Sequence, residues 1–423
     1  MNHNPVHRCR KFMIHRKLGT NSSLRGVHIK CPSREQAHET ERDVRRRLTA
    51  FGLHEFIEPV RPATPLDVAF ALRTEEAERL TPGGDTLQLA SLLQLDSRSS
   101  ADDLEREILV AMLAAPVPFR FPSYAEFEAS VRMRVSIVQA ARNTRLEFET
   151  QTAERPPEFW RYDVDRGFVL LPGRSLIDGL REATQPADPA HRYSFSCWRA
   201  TEHIILLAIA QEAAAQHREL YLAISRQSEL QALKASAFER AYMCDHGSAK
   251  EPLPVRYFVP GDRTWFRNPD PASADVTGFE GSFTFYLGAG EFANFWRDCV
   301  PFTLTTKCLT IYHWRQGLVR DSQGEPQIDE ARVEALVRQS LLDSQETERI
   351  LREMVQWQAH PECFDGGCIE PSRKIPRHVC RRTADIVLPD VTTSALRNPQ
   401  RNESPSKRPS RSDAEEFVRD VDQ

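Results

Sequence analysis

Tyr193-Ser194-Phe195-Ser196-Cys197-Trp198 leads, within a few residues, into Ile204-Ile205-Leu206-Leu207-Ala208-Ile209-Ala210, an unbroken apolar run. The span 198–216 predicts a helix with a solidly apolar middle, so it belongs in the centre of a core. Cys197 stands at its first turn. Unpaired backbone N–H groups at a helix start present partial positive charge, which favours a thiolate over a thiol and can receive a developing oxyanion. A cysteine acts as a nucleophile only as thiolate, so this is where a reactive sulfur gains most. The alternative is a small apolar side chain filling core space.

Working outward, helices are expected at 36–51, 66–80, 101–115 behind the N-cap Ser100, from Ser123 onward, and at 175–183. Residues 160–171 alternate as a strand pair. Downstream of the central helix, 220–225, 255–259, 264–267 and 282–287 are rich in β-branched and aromatic residues between Pro/Gly turns and predict strands. Gly288-Ala289-Gly290 is too short to cradle a phosphate and is expected as a hairpin turn. Helices first, then a central helix on an antiparallel sheet, make the expected fold class α+β. Two amphipathic helices are expected at 329–342 and 343–360, the second opened by Asp343 with Glu346 three residues on.

The 423-residue chain has room for several units. The expected organisation is a disordered basic tail (1–34), a helical extension (35–99), a catalytic domain (100–315), a helical and Cys/His-containing extension (316–395) and a disordered tail (396–423). Hydrophobic residues at 40% and charged residues at 27% describe a globular protein with no global pull toward nucleic acid or membrane at a net charge of −4. Residues 1–50 hold 12 Lys/Arg against 4 Asp/Glu, which leaves −12 on the remainder. That basic start lacks the apolar stretch of a secretory signal and the interleaved aromatics of a nucleic-acid surface. Nine cysteines, an odd number, fit a reducing, cytoplasmic setting with free thiols.

Four motifs in order resemble the small bacterial spore-coat type of protein-glutamine gamma-glutamyltransferase over roughly residues 100–300. Phe159-Trp160-Arg161 resembles its Tyr/Phe-Trp-Arg strand, and 193–197 its Tyr-Ala-Phe-Glu-Cys lead-in. Gly261-Asp262 through Phe266-Arg267-Asn268-Pro269-Asp270 is similar to its Gly-Asp…Phe-Lys-Asn-Pro-Glu turn, and Gly281 with Tyr286-Leu287-Gly288 to its Gly-Glu-Asn…Leu-Leu-Gly. The resemblance implies a papain/NlpC-like core, Cys197 as nucleophile, protein substrates carrying glutamine and lysine, isopeptide cross-links, and no metal or organic cofactor. Ser196, Ser282 and Asn294 stand where that family carries an acid, its principal acid/base glutamate and a histidine. A hydroxyl cannot hold a proton as a tuned carboxylate does.

Glu280, two residues before Ser282, lies on the same strand face, and a bulge at Gly281 would bring it to the thiol as the catalytic base. An exposed strand-end carboxylate is the alternative. His203, six residues into the helix, points to the wrong face for Cys197 and is expected as a packed core residue. His313 falls outside the resemblance, and Asp262 reads as a turn residue. Trp265, Phe266 and Trp296 are candidates for the walls of a water-excluding channel, or for ordinary core. His360, Cys363, Cys368, His378 and Cys380 lack the spacing of a paired zinc knuckle, so no metal is assigned. The readings left open are a cross-linking acyltransferase, a hydrolase or deamidase on the same scaffold, and a degenerate relative kept for binding or structure.

Overall fold

The computed structural model describes residues 24–62, 64–149, 152–188, 190–297, 300–358 and 366–389. Its centre is a six-stranded, wholly antiparallel sheet. The strand order is Phe302–Thr303, Glu291–Phe292, Gly281–Gly288, Arg263–Arg267, Ser372–Pro376 and Met243–Gly247. Every residue of the 281–288 strand is buried. Against that strand pack the helices Ala101–Leu113, Tyr124–Asn143 and Cys197–Gln216. The fold is therefore mixed α and β, with the thiol-bearing helix on an antiparallel sheet.

Each of these helices opens on a serine that accepts a hydrogen bond from the third backbone N–H beyond it. Ser100 serves Asp103, Ser123 serves Glu126, and Ser196 serves Arg199. Such a cap is worth about 1 kcal/mol against alanine and fixes where the helix starts. Asp343 caps the Ser344–Met354 helix through the Gln345 and Glu346 amides. The Gly288-Ala289-Gly290 turn has positive φ at all three residues, and the buried Glu107 carboxylate accepts the Ala289 amide. A Cβ on Gly288 would lie 2.7 Å from Glu107 Oε2, so only glycine admits the carboxylate there.

Several expectations are corrected. Residues 220–225 are not a strand but part of the helix Arg218–Leu230, whose buried positions Ile224, Gln227 and Ser228 follow helical spacing while Leu222 is exposed. Residues 66–80 are not one helix. The run Val68–Leu72 is buried on both faces as an interior strand of a second, four-stranded sheet, and only Thr74–Leu80 is helical. Val27–Ile29, within the span expected to be a disordered tail, pairs antiparallel with 68–72 and parallel with Phe119–Phe121 in that sheet. Residues 255–259 form no strand. Phe258 instead exchanges its amide and carbonyl with the hydroxyl of Thr86.

The C-terminal part is built into the core. Ser372–Pro376 inserts between Arg263–Arg267 and Met243–Gly247. The helices Glu330–Leu342 and Ser344–Met354 pack on Leu304–Gly317, closing a second apolar cluster with Phe266, Tyr286 and Phe292. Among the described residues, no helix is long and apolar enough to cross a membrane.

The Gly261-Asp262 turn is anchored from within. Asp262 Oδ1 receives Arg134 Nη1 at 2.8 Å and Oδ2 receives the Val259 amide at 2.8 Å, with both ionic side chains essentially inaccessible. Breaking such a pair strands a buried charge. Asp262→Ala is expected to lower stability by about 3–5 kcal/mol, seen as a reduced urea midpoint with an unchanged transition slope.

Candidate active site

Cys197 is the first residue of its helix and half-buried. The strand Tyr193–Phe195 delivers it, pairing parallel with Leu146–Phe148, and the Ser196 cap turns the chain into the helix. The rest of that helix is locked by Ile204, Ile205, Leu207, Ala208 and Ile209, all buried. The sulfur thus has one fixed address, at the open amide end of a helix that cannot shift.

The facing wall is the 281–288 strand. Its even-numbered residues turn their backbone groups toward Arg263–Arg267, as the bonds from Asn268 N to Glu280 O and from Tyr286 N to Asp262 O show. Odd-numbered residues face the other edge, where Glu291–Phe292 covers only the Tyr286–Gly288 end. The Phe283 amide faces the uncovered edge near Cys197, where it favours the thiolate. Burial pushes the Cys197 thiol up, and the Phe283 amide, the Lys307 and Arg263 charges and the Trp198 amide pull it back in part.

Lys307 is the residue that the sequence reading missed. Only 1% exposed, it donates from Nζ to Ser282 Oγ at 2.6 Å. The same nitrogen lies 4.3 Å from the Phe302 ring centre and 4.8 Å from that of Trp296. Burial pulls its ammonium down to about 7, against a smaller opposing pull from Cys197. Thr303 and Thr306 form a capping box at the start of Leu304–Gly317, which puts Lys307 in the first turn, where the helix end further disfavours a cation. A signal was present. Lys307 shares the i, i+3/i+4 stripe with Leu304, Cys308 and Ile311, so a lysine occupies a core-facing position.

Arg263 is fully buried, with Nε on Thr201 Oγ1 at 2.9 Å and Nη1 on Glu239 at 2.8 Å, and its guanidinium lies 3.8 Å from the Phe283 ring centre. Phe283 is also flanked by Trp198 and Trp265, at 4.9 and 4.4 Å. A Cβ on Gly281 would sit 2.3 Å from Trp265 Cζ2 and 2.5 Å from Phe266 O, so the glycine allows that tryptophan to close over the strand. Trp296 stacks near Phe148 and lines a cavity of about 260 Å³ with Lys307, Phe302 and Trp314. A second cavity, about 240 Å³, opens beside Ser196 and Arg199. Phe266 faces away, in the second apolar cluster.

The remaining candidates are structural. The 263–267 and 281–288 strands pair in continuous register, so there is no bulge at Gly281. The Glu280 carboxylate turns back to accept the Gly278 amide at 3.0 and 3.1 Å, and burial raises it. Ser282, not Glu280, therefore receives the buried Lys307. Asn294 braces its own turn through Val300 O and the Trp296 and Arg297 amides. His203 is packed as expected, between Arg199 O and Arg155 Nε, with Phe195 edge-on. His313 reaches Ser340 at 2.8 Å, away from Cys197. His360 and Cys363 lie outside the described residues. Cys368 contacts Cys308 at 3.7 Å, and the Cys380 amide bonds Glu126. Among the described residues, no group of three His, Cys, Asp or Glu side chains is placed to hold a metal ion.

A sequence profile of the protein-glutamine gamma-glutamyltransferases matches residues 87–298, half of the chain, and encloses Cys197, Glu280 and Ser282. The chain belongs to the protein-glutamine gamma-glutamyltransferase family. The curated protein-glutamine gamma-glutamyltransferase of Halalkalibacterium halodurans is 26% identical over 226 residues, covering 50% of this chain and 70% of that protein. A solved transglutaminase from Geobacillus stearothermophilus, without its C-terminal extension, aligns with a TM-score of 0.35 and 19% identity over 51% of this chain and 98% of that one. The strand 372–376 and the helices 330–342 and 344–354 lie beyond the family match.

Glu280→Gln retains an acceptor for the Gly278 amide. Alkylation of Cys197 by iodoacetamide near neutral pH is therefore expected to change by less than about twofold, because the carboxylate is spent on the turn and not on the thiol.

Proposed function

We propose that the chain is a cysteine-dependent acyltransferase that joins a protein glutamine to a lysine amine. The observation that carries the reading is Cys197 itself. The residue is half-buried at the amide end of a buried helix, and the nearby Phe283 N–H and Lys307 charge favour its thiolate. The Cys197 thiolate attacks the glutamine carboxamide carbon, and the oxyanion so formed lies against the helix-start amides. The C–N bond breaks, ammonia leaves, and a thioester remains. A lysine amine then attacks the thioester, the C–S bond breaks, and an isopeptide bond forms as the thiolate is restored. No metal or organic cofactor enters this sequence.

The papain-like reading of the core is supported by a thiol at the head of a buried helix packed on an antiparallel sheet. Trp198, Trp265, Phe283 and Trp296 around the site favour an amine over water as second substrate, since apolar walls thin the water near the thioester. Protein substrates, and no nucleic-acid or membrane partner, follow from family membership and from the modest net charge. A cytoplasmic setting is supported by the six described cysteines, all free thiols.

The test uses purified protein, a glutamine-containing acyl donor and a fluorescent primary amine as acceptor. Amine incorporation is expected, falling on the order of a thousandfold or more in Cys197→Ala. Ammonia release without incorporation would replace cross-linking with deamidation. Equal signals from folded wild type and Cys197→Ala would remove the enzymatic reading altogether.

A further inference from the structure

We propose that Lys307, seated on Ser282, is the proton acceptor for Cys197, an assignment that rests on the acyl-transfer reading above. Two consecutive residues of one buried strand hold the two partners. The Ser282 hydroxyl accepts from Lys307 Nζ at 2.6 Å, and the Phe283 amide and the Lys307 charge both favour the Cys197 thiolate. A hydroxyl cannot serve as a base near neutral pH, whereas a neutral amine can. The aromatic box of Trp296 and Phe302 strips water from the nitrogen, and among the described residues its bonded partner is a hydroxyl rather than a carboxylate. Burial therefore holds the nitrogen near the point where it gains and loses a proton at neutral pH, about 7.

The proton balance closes. The Cys197 S–H bond breaks as an N–H bond forms on Lys307, giving a thiolate beside an ammonium. After attack on the carboxamide, the ammonium returns its proton to the departing nitrogen, which leaves as ammonia, and Lys307 is neutral again. The incoming amine gives up a proton to Lys307 as it attacks, and the C–S bond breaks to regenerate the thiolate–ammonium pair.

The other charged and titratable neighbours do not replace it. Arg263, on the adjacent strand, is committed to Thr201 and Glu239. Cys308 on the same helix and Cys368 from the C-terminal segment face each other, and burial pushes the Cys368 thiol well up. Glu334, across the cavity on the 330–342 helix, is paired with Arg297 and Arg338.

The experiment is site-resolved alkylation of Cys197 in the full chain by iodoacetamide, followed by mass spectrometry across pH. In the wild type, the rate should rise through a first limb near pH 7, because Lys307 is an ammonium below it and an available base above it. Lys307→Met and Lys307→Gln should each move that limb upward by about a unit or more and slow alkylation at pH 7 at least about tenfold. A folded Lys307 variant with the wild-type profile overturns the proposal. So does a wild-type limb in the ordinary thiol range, which is read without any variant. The readout needs neither glutamine nor amine. Loss of Cys197-dependent incorporation would thus sink the acyl-transfer reading alone, and a Lys307-independent profile would sink only the proton acceptor.

Discussion

One unpaired backbone amide organises the site. Along the 281–288 strand, hydrogen bonds alternate between the two edges, and the neighbour on one edge stops at Phe285, whose carbonyl takes the Ala293 amide. The Phe283 N–H would be a buried orphan donor, at a cost of about 1–3 kcal/mol, if nothing answered it. The sulfur of Cys197 lies near it, and the amide favours its thiolate. The same strand holds Ser282 for Lys307, Phe283 beneath Arg263, and Gly281 beneath Trp265. Because all eight of its residues are buried, none of these contacts can be adjusted singly.

That constraint puts a basic group where a carboxylate would otherwise serve. A glutamate and a lysine are not equivalent. Burial raises a carboxylic acid and lowers an ammonium, so a dry pocket brings both toward neutrality from opposite sides. Lys307 is drawn down to about 7 in this way, while Glu280, two residues from Ser282, is occupied by Gly278. An adjacent cation also favours the thiolate, a benefit that a carboxylate cannot supply. The C-terminal helices matter here because they pack on Leu304–Gly317 and help to bury that helix.

Much of this was legible in the residues. The apolar run 204–210 fixed the central helix, the serine caps fixed several helix starts, and the four motifs fixed the family. The location of Cys197 followed from those. What could not be read was set by tertiary pairing. Val68–Leu72 and 220–225 are both short apolar stretches, and only their partners decide that the first is an interior strand and the second a helix face. Glu280 was favoured by alternation, which fixes the face of a strand but not where a flexible carboxylate turns. Lys307 lies 110 residues from Cys197 and outside the family match, and its one clue was a charge on an apolar helix stripe.

The insertion of Ser372–Pro376 between Arg263–Arg267 and Met243–Gly247 bears on the order of biosynthesis. Cys197 emerges from the ribosome well before this strand, by on the order of ten seconds or more at ordinary translation rates. Until it arrives, the edge of Arg263–Arg267 is an open row of N–H and C=O groups, apt to pair with the wrong chain. Its arrival closes the sheet through residues translated late, so the nascent polypeptide carries its sulfur before it has a finished floor beneath it.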